Sequence, residues 1–240
     1  WSFIDMSGIV GSRLNIRGSG VIGKLGSDGQ VFASSGAGVS AVYEAAPSGG
    51  GDLSFGGDTF EEAKVIGSND NYTFSIEAGG TTAMTINTDQ SISYPTQPCF
   101  SINHTVSQTN LTANSDNTIT WGTELFDLGG DFTSNTFTAP VTGTYVLISM
   151  VVFAAFDHDA SDNVQFEIIT SNRSHGVLFD VGAIWQAQPE LFTLQVHCIT
   201  DMDTSDTAIV SYNEQGSGAS QADVYGVSGD NHYFEGILVR

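Results

Sequence analysis

From Pro98 to the end of the chain, apolar and polar residues alternate with a period of two in run after run, and no stretch carries a convincing helical period. Val164, Phe166 and Ile168 alternate with Gln165 and Glu167, and Phe192, Leu194, Val196 and Cys198 alternate with Thr193, Gln195 and His197. Strands are predicted over 100–106, 118–126, 135–139, 143–156, 164–170, 176–181, 191–200, 207–212 and 233–239, separated by Gly, Asp, Asn and Ser. Short strands at this spacing specify an all-β, two-layer antiparallel sandwich. Residues 145–153 are nearly all apolar, so this strand is predicted to be buried on both faces. In a single small sandwich such a strand needs a second covering surface, and another copy of the chain is the simplest candidate.

The 240 residues accommodate one sizeable domain and something smaller. Residues 1–44 are rich in Gly and Ser with scattered Val, Ile and Leu, a pattern of short strands and turns with no self-sufficient core, and read as a fibre stem. Gly20, Gly23, Gly26 and Gly29 keep a period of three, but the run is short and lacks proline, which argues against collagen. Residues 45–97 begin with a flexible Ala45, Ala46, Pro47, Ser48, Gly49 hinge and continue as a small β-module, or neck, with short strands predicted at 72–76 and 83–86. Pro95 and Pro98 punctuate the entry to the head, 98–240. The chain opens on Trp1, and nothing near it has the layout of a secretion signal, so it is expected to continue a longer chain.

The formal net charge is −21, with Lys24, Lys64, Arg13, Arg17, Arg173 and Arg240 the only fixed cations. Such a surface repels phosphate backbones and anionic bilayers, which argues against nucleic-acid and membrane-surface partners and leaves cations and neutral glycans. The longest apolar stretch, 145–156, is too short to span a bilayer and contains Ser149. Two cysteines, Cys99 and Cys198, do not make a disulfide framework, and Cys198 falls on an apolar strand face as a packing thiol. His104, His158, His175, His197 and His232 have no zinc-site spacing, and no nucleophile elbow, phosphate loop or dinucleotide fingerprint occurs, so the chain is read as a non-enzyme.

Phe137, Ala139, Pro140, Gly143 and Tyr145 spell F-x-A-P-x-x-G-x-Y, preceded by Thr120, Trp121, Gly122 and the segment to Gly130, and the chain closes on Tyr233, Phe234, Glu235, Gly236, Ile237 and Leu238. Pro140 and Gly143 are expected to make a tight turn that delivers Tyr145 into the core, with Phe137 on the opposite layer and Trp121 buried within a strand. Together these segments resemble the globular head of the complement C1q and tumour-necrosis-factor superfamily, over about 140 residues. Glu235 departs from the small residue usual at its position. The resemblance implies a jelly roll assembled as a homotrimer. Fold resemblance alone licenses no function.

The stem segment from Leu25 to Gly38, with Asp28, Gly29, Gln30 and Val31 at its centre, resembles a segment common in bacteriophage tail fibres. Ile66 to Asp70 and Thr82 to Asn87 resemble short β-modules just before phage fibre tips. These resemblances imply the receptor-binding tip of a viral tail fibre or spike, located in the virion, with a host cell-surface glycan or outer-membrane receptor as partner and other tail proteins upstream. Two alternatives stay open: a secreted C1q-like lectin or adhesin of cellular origin, and a tailspike that cleaves polysaccharide with paired carboxylates.

Asp157, Asp159 and Asp162, with Asn163, supply hard oxygen ligands suited to calcium in one predicted turn, although the plainer reading is a solvated Asp/Asn turn. Asp201, Asp203 and Asp206 form a similar cluster with the same plainer reading. Trp185 lies in a loop-like stretch where it could stack on a sugar ring or fill a subunit interface, the latter being favoured. Successive connections of an antiparallel sandwich alternate ends, so turns at 157–163, 184–189 and 214–231 should share one end, and those at 171–174 and 201–206 the other. If the head resembles its family, Arg240 lies near the stem. The first end is then the apex, and Asp157, Asp159, Asp162, Asn163 and Trp185 become candidate receptor contacts.

Overall fold

The computed structural model describes Ala63 and residues 65–104, 107–181, 189–217, 221–226 and 232–240, together with the backbone of four strands nearer the start of the chain. The chain divides into two compact units, Trp1–Ile66 and Gly67–Arg240. In the first, β1 (Leu14–Ile16) pairs antiparallel with β2 (Gly20–Ile22), and β3 (Gln30–Ala33) with β4 (Val42–Ala45). Most of the stem segment from Leu25 to Gly38, and Gly23, Gly26 and Gly29, lie outside the described residues.

The second unit opens with a three-stranded sheet of β5 (Phe74–Ala78), β6 (Thr81–Ile86) and β7 (Ile92–Ser93). Tyr72, Ile76 and Ile92 are exposed on it. This small sheet therefore buries little of its own apolar surface.

The head is an antiparallel jelly-roll sandwich. Its strands are β8 (Cys99–Asn103), β9 (Asn117–Thr118), β10 (Thr123–Leu128), β11 (Phe132–Thr133), β12 (Thr136–Thr138), β13 (Gly143–Ala154), β14 (Ser161–Thr170), β15 (Ser174–Asp180), β16 (Leu191–Met202), β17 (Thr207–Gly216), β18 (Asp223–Val224) and β19 (Tyr233–Leu238). One sheet runs β10-β8-β19-β13-β16, with β18 beside β13; the other runs β11-β12-β17-β14-β15, with β9 beside β17. The strand predicted at 118–126 is therefore two strands in different sheets. Trp121 lies in the crossing between them rather than within a strand; it is buried, and its backbone N–H donates to Asn135 Oδ1 at 2.8 Å.

The period-two pattern does what it should. On β13, Tyr145, Leu147, Val151 and Phe153 are fully buried against Val164, Phe166 and Ile168 of β14 and Ala208, Val210 and Tyr212 of β17. Aromatic rings interlock across the layers: Phe100 stacks on Phe137 at 4.6 Å and Phe153 on Tyr212 at 4.3 Å. Each such ring contributes about 1.5–3 kcal/mol of burial. Cys198 is buried as expected, and desolvation pushes its thiol up to about 11, which keeps it protonated and inert.

Glycine stands where backbones crowd. A Cβ on Gly236 would lie 2.4 Å from the Phe100 ring, and one on Gly143 would lie 2.5 Å from the Arg240 carbonyl oxygen. The closing motif and the Pro-x-x-Gly turn are thus steric requirements of two chains passing close together.

Candidate functional site

Strand register assigns every connection to one end of the sandwich. Ala154 faces Leu191 and Asp223, Ser161 faces Gly216, and Asn163 faces Asp180. The turn after β13, the residues leading into β16 and the segment after β17 therefore share one end. At the other end Gly143 faces Met202, Thr170 faces Ala208, and Thr144 N–H donates to the Arg240 carbonyl at 2.7 Å. Leu238 N–H donates to the Pro98 carbonyl at 3.0 Å, so the head is entered from the end that carries Arg240.

The turn at the first end is built on Asp157. Its Oδ1 accepts from Asp159 N–H at 3.1 Å, and its carbonyl accepts from Ala160 N–H at 3.2 Å and from Ser161 Oγ at 2.9 Å. These bonds close an Asx-type turn. Asp159 is exposed, and the His158 ring nitrogen Nε2 lies 3.3 Å from its carboxylate.

Asp162 and Asn163 are not in this turn. β14 begins at Ser161, three residues before its predicted start, and the register slips between Ser161 and Asn163, so Asp162 is the extra residue of a bulge. Asp162 is exposed, while Asn163 is half-buried with Nδ2 donating to Gln215 Oε1 at 3.4 Å. Among the described residues no group of three His, Cys, Asp or Glu is placed to share a metal ion, so Asp157, Asp159 and Asp162 are not gathered as a calcium set. Adjacent strand residues point to opposite faces, which separates ligands that a loop would bring together. Trp185 lies outside the described residues.

Glu214, read from sequence as the start of the apical turn 214–231, lies instead inside β17, which runs to Gly216, beneath the Asp157 turn. Glu214 on β17 is 1% exposed, takes a hydrogen bond from Ser161 Oγ, and accepts from the Tyr212 hydroxyl at 3.2 Å. Burial pushes its carboxyl up from the usual range, against the pull of those hydroxyls. The signal was present in the alternation Ala208, Val210, Tyr212, Glu214, which puts the acid on the inward face of β17.

At the opposite end the acidic cluster is occupied by structure. Arg173 pairs with Asp201 at 2.6 Å, and Asp206 Oδ2 accepts from Asp203 N–H and from Asn172 Nδ2, both at 2.8 Å. These bonds fasten the two basal turns to one another.

The outer face of the β10-β8-β19-β13-β16 sheet is the other prominent surface. A row of apolar side chains crosses all five strands: Leu128, Cys99, Ile237, Val146 and Ile199 stand opposite one another in successive registers. Leu128 is 39%, Ile237 44% and Ile199 72% exposed. A cavity of about 260 Å³ lies in this face, lined among others by Phe126, Val146, Ile148 and Ile237. Along β13 the outward Val146, Ile148, Met150 and Val152 are half-buried, so the described residues do not supply the second covering surface expected from sequence.

No family model and no curated protein matches this chain. Among solved structures, it is similar to the globular domain of zebrafish complement 1qA protein, with 15% identity over 60% of this chain and 98% of that one, at a TM-score of 0.38. It is similar also to murine APRIL, with 9% identity over 60% of this chain and 99% of that one, at a TM-score of 0.41.

Proposed function

We propose that this chain is the non-catalytic, receptor-binding tip of a viral (phage) tail fibre or spike. In this reading it is a virion protein that assembles as a homotrimer through the outer face of the β10-β8-β19-β13-β16 sheet. The apical turns then attach to a host cell-surface glycan or protein.

The observation that carries the reading is the apolar row Leu128, Cys99, Ile237, Val146 and Ile199 on a sheet face that the described residues leave uncovered. A contiguous exposed apolar patch of this kind marks an interaction surface. Self-association is the occupant that the head motifs imply, and their resemblance sets the number at three. With Pro98 and Arg240 at the opposite end, the turn at Asp157 and Asp159 lies at the end of the head remote from where the chain enters it, the end this reading offers to a cell. The viral setting rests on the stem segments.

Light scattering on the purified chain should return three copies at micromolar concentration, and a monomer would refute the assembly. Attachment to host cells should fall in an Asp157→Ala, Asp159→Ala double variant or in Trp185→Ala, with trimer content checked. Unchanged attachment in both, with trimers intact, would place recognition on the flank or stem.

A further inference from the structure

Ser161 Oγ stands between two oxygens that both call for its one hydrogen. The Asp157 carbonyl lies 2.9 Å from it, and Glu214 Oε1 is its other hydrogen-bond partner. A hydroxyl has a single hydrogen to give, and a carbonyl can only accept. We propose that Glu214 is a proton-operated latch beneath the apical turn. As the neutral acid it donates to Ser161 Oγ, and Ser161 gives its own hydrogen to the Asp157 carbonyl. As the carboxylate it takes the Ser161 hydrogen, and the carbonyl loses that donor. The acid proton goes to solvent in the change, and no covalent bond of the backbone is touched.

The other groups around the carboxyl leave Ser161 as the place where the proton count shows. Oε2 accepts from the Tyr212 hydroxyl at 3.2 Å, and burial, with Glu214 beside it, pushes that hydroxyl far up, so Tyr212 stays a donor. Ala222, on the segment after β17, gives its N–H to the carboxyl, and its carbonyl accepts from Leu111 N–H at 2.9 Å. From the turn, Asp157 adds its negative charge to burial in raising the acid. His158 Nε2 is turned to Asp159, at 3.3 Å. The described arginines are at the other end of the head, Arg173 paired with Asp201 and Arg240 beside Thr144. Among the described residues no cation therefore holds Glu214 ionised.

The turn above is one that a single bond can shift. Ala155, two residues before Asp157, has φ 53°, a left-handed conformation that a residue with a Cβ keeps only where its surroundings hold it. The Asp157 carbonyl also accepts from Ala160 N–H at 3.2 Å, and the Ala160 carbonyl accepts from Ser217 N–H at 2.8 Å, so the turn is tied to the end of β17. The latched form is present while Glu214 is neutral and is lost as pH rises through its raised value. Exposed Asp159 is carried on this turn, so the latch governs how an apical side chain is presented. A glutamine at 214 copies the latched form, because its amide N–H donates to Ser161 as the acid does.

The latch does not depend on the attachment reading, and its test uses no cells. On the ¹³C,¹⁵N-labelled full chain, the Glu214 carboxyl carbon, assigned through Glu214→Gln, and the Ala160 amide would be followed between about pH 4 and pH 9. Both signals should move with one shared midpoint above the ordinary carboxylate range. In Glu214→Gln the Ala160 amide should stay at its low-pH position throughout. In Ser161→Ala the Glu214 carboxyl should still titrate while the Ala160 amide loses most of its response. Asp157→Asn, whose Oδ1 still accepts from Asp159 N–H, should keep the response and so separate it from titration of the Asp157 carboxyl itself. The proposal fails if the Ala160 amide ignores the Glu214 midpoint, if its response survives intact in Ser161→Ala, or if it vanishes in Asp157→Asn. It fails equally if Glu214 keeps one form over the whole range. Where a variant does not fold, unequal midpoints of the two signals in the unaltered chain overturn it.

Discussion

The Tyr145 hydroxyl donates a 2.7 Å hydrogen bond to the carbonyl of Val141, four residues back along the chain. The ring is fully buried and meets Phe137 edge-on at 5.5 Å, so one side chain closes the turn after β12 and joins the two layers. Tyr145→Phe keeps the ring and loses only the bond. It should destabilise the head by about 1 kcal/mol, whereas Tyr145→Ala should cost about 3–5 kcal/mol. Denaturant midpoints of the two variants give the comparison.

Gly236 passes over the Phe100 ring with no room for a methyl group. Gly236→Ala should cost about 1–3 kcal/mol or more through displaced Phe100 and Leu147. A Phe100→Leu second change that relieves the clash should recover part of the loss. Additive losses would show that the Phe100 ring is not the obstacle.

Burial pushes His232 down to about 4, with His104 adding to the effect, and burial likewise lowers His104. No carboxylate of the described residues weighs on either ring. Both rings favour their neutral form in the folded chain, whereas the unfolded value is near 6.5. Stability is therefore fully present above that value and is lost as pH falls toward 4, by about 3 kcal/mol for His232 alone. Urea unfolding between about pH 7 and pH 4 should show the decline. His232→Asn, whose Oδ1 can take the Val152 N–H, should flatten it.

Glu214 has the opposite sign. Its carboxyl is raised by burial, so the neutral acid is favoured in the folded chain and stability is lost as pH rises from the unfolded value toward the raised one. Glu214→Gln removes the charge, keeps an acceptor oxygen for one of the Ser161 and Tyr212 hydroxyls and offers the other an amide N–H. It should stabilise the head at neutral pH and leave it little changed in acid, as read by thermal midpoints at both conditions.

Ile199 is 72% exposed at the end of the apolar row that crosses the outer sheet face. Ile199→Asp should leave the monomer fold intact, because the side chain packs on little within the chain. Assembly should weaken, and the unfolding midpoint, expected to rise with protein concentration in the unaltered chain, should become independent of it. Light scattering across a dilution series and circular dichroism separate loss of assembly from loss of fold.

Much of the head was legible in sequence because period-two alternation and turn residues are local signals. The runs of β13, β14 and β16 announced their inward faces, and Cys198 took its place on one of them. Phe137, Gly143 and Tyr145 marked the turn between β12 and β13. Alternation of connections also assigned the turn after β13 to one end and those at 171–174 and 201–206 to the other, as the registers of β13, β14 and β16 have them; much of the predicted turns 184–189 and 214–231 lies outside the described residues.

What a local pattern does not contain is which strand stands beside which. Residues 118–126 read as one strand, yet the chain leaves one sheet at Thr118 and enters the other at Thr123, with Trp121 buried in the crossing. Asp162 read as a loop ligand, but pairing of β14 with β17 extends the ladder to Ser161 and makes it a bulge residue. Residues separated by more than a hundred positions brought His104 against His232 and left the Nε2 of each without a partner among the described residues. Alternation fixes only the face to which a side chain points; its neighbours across the sheet, and whether a buried polar atom finds a partner there, are set by the register of strands distant in sequence.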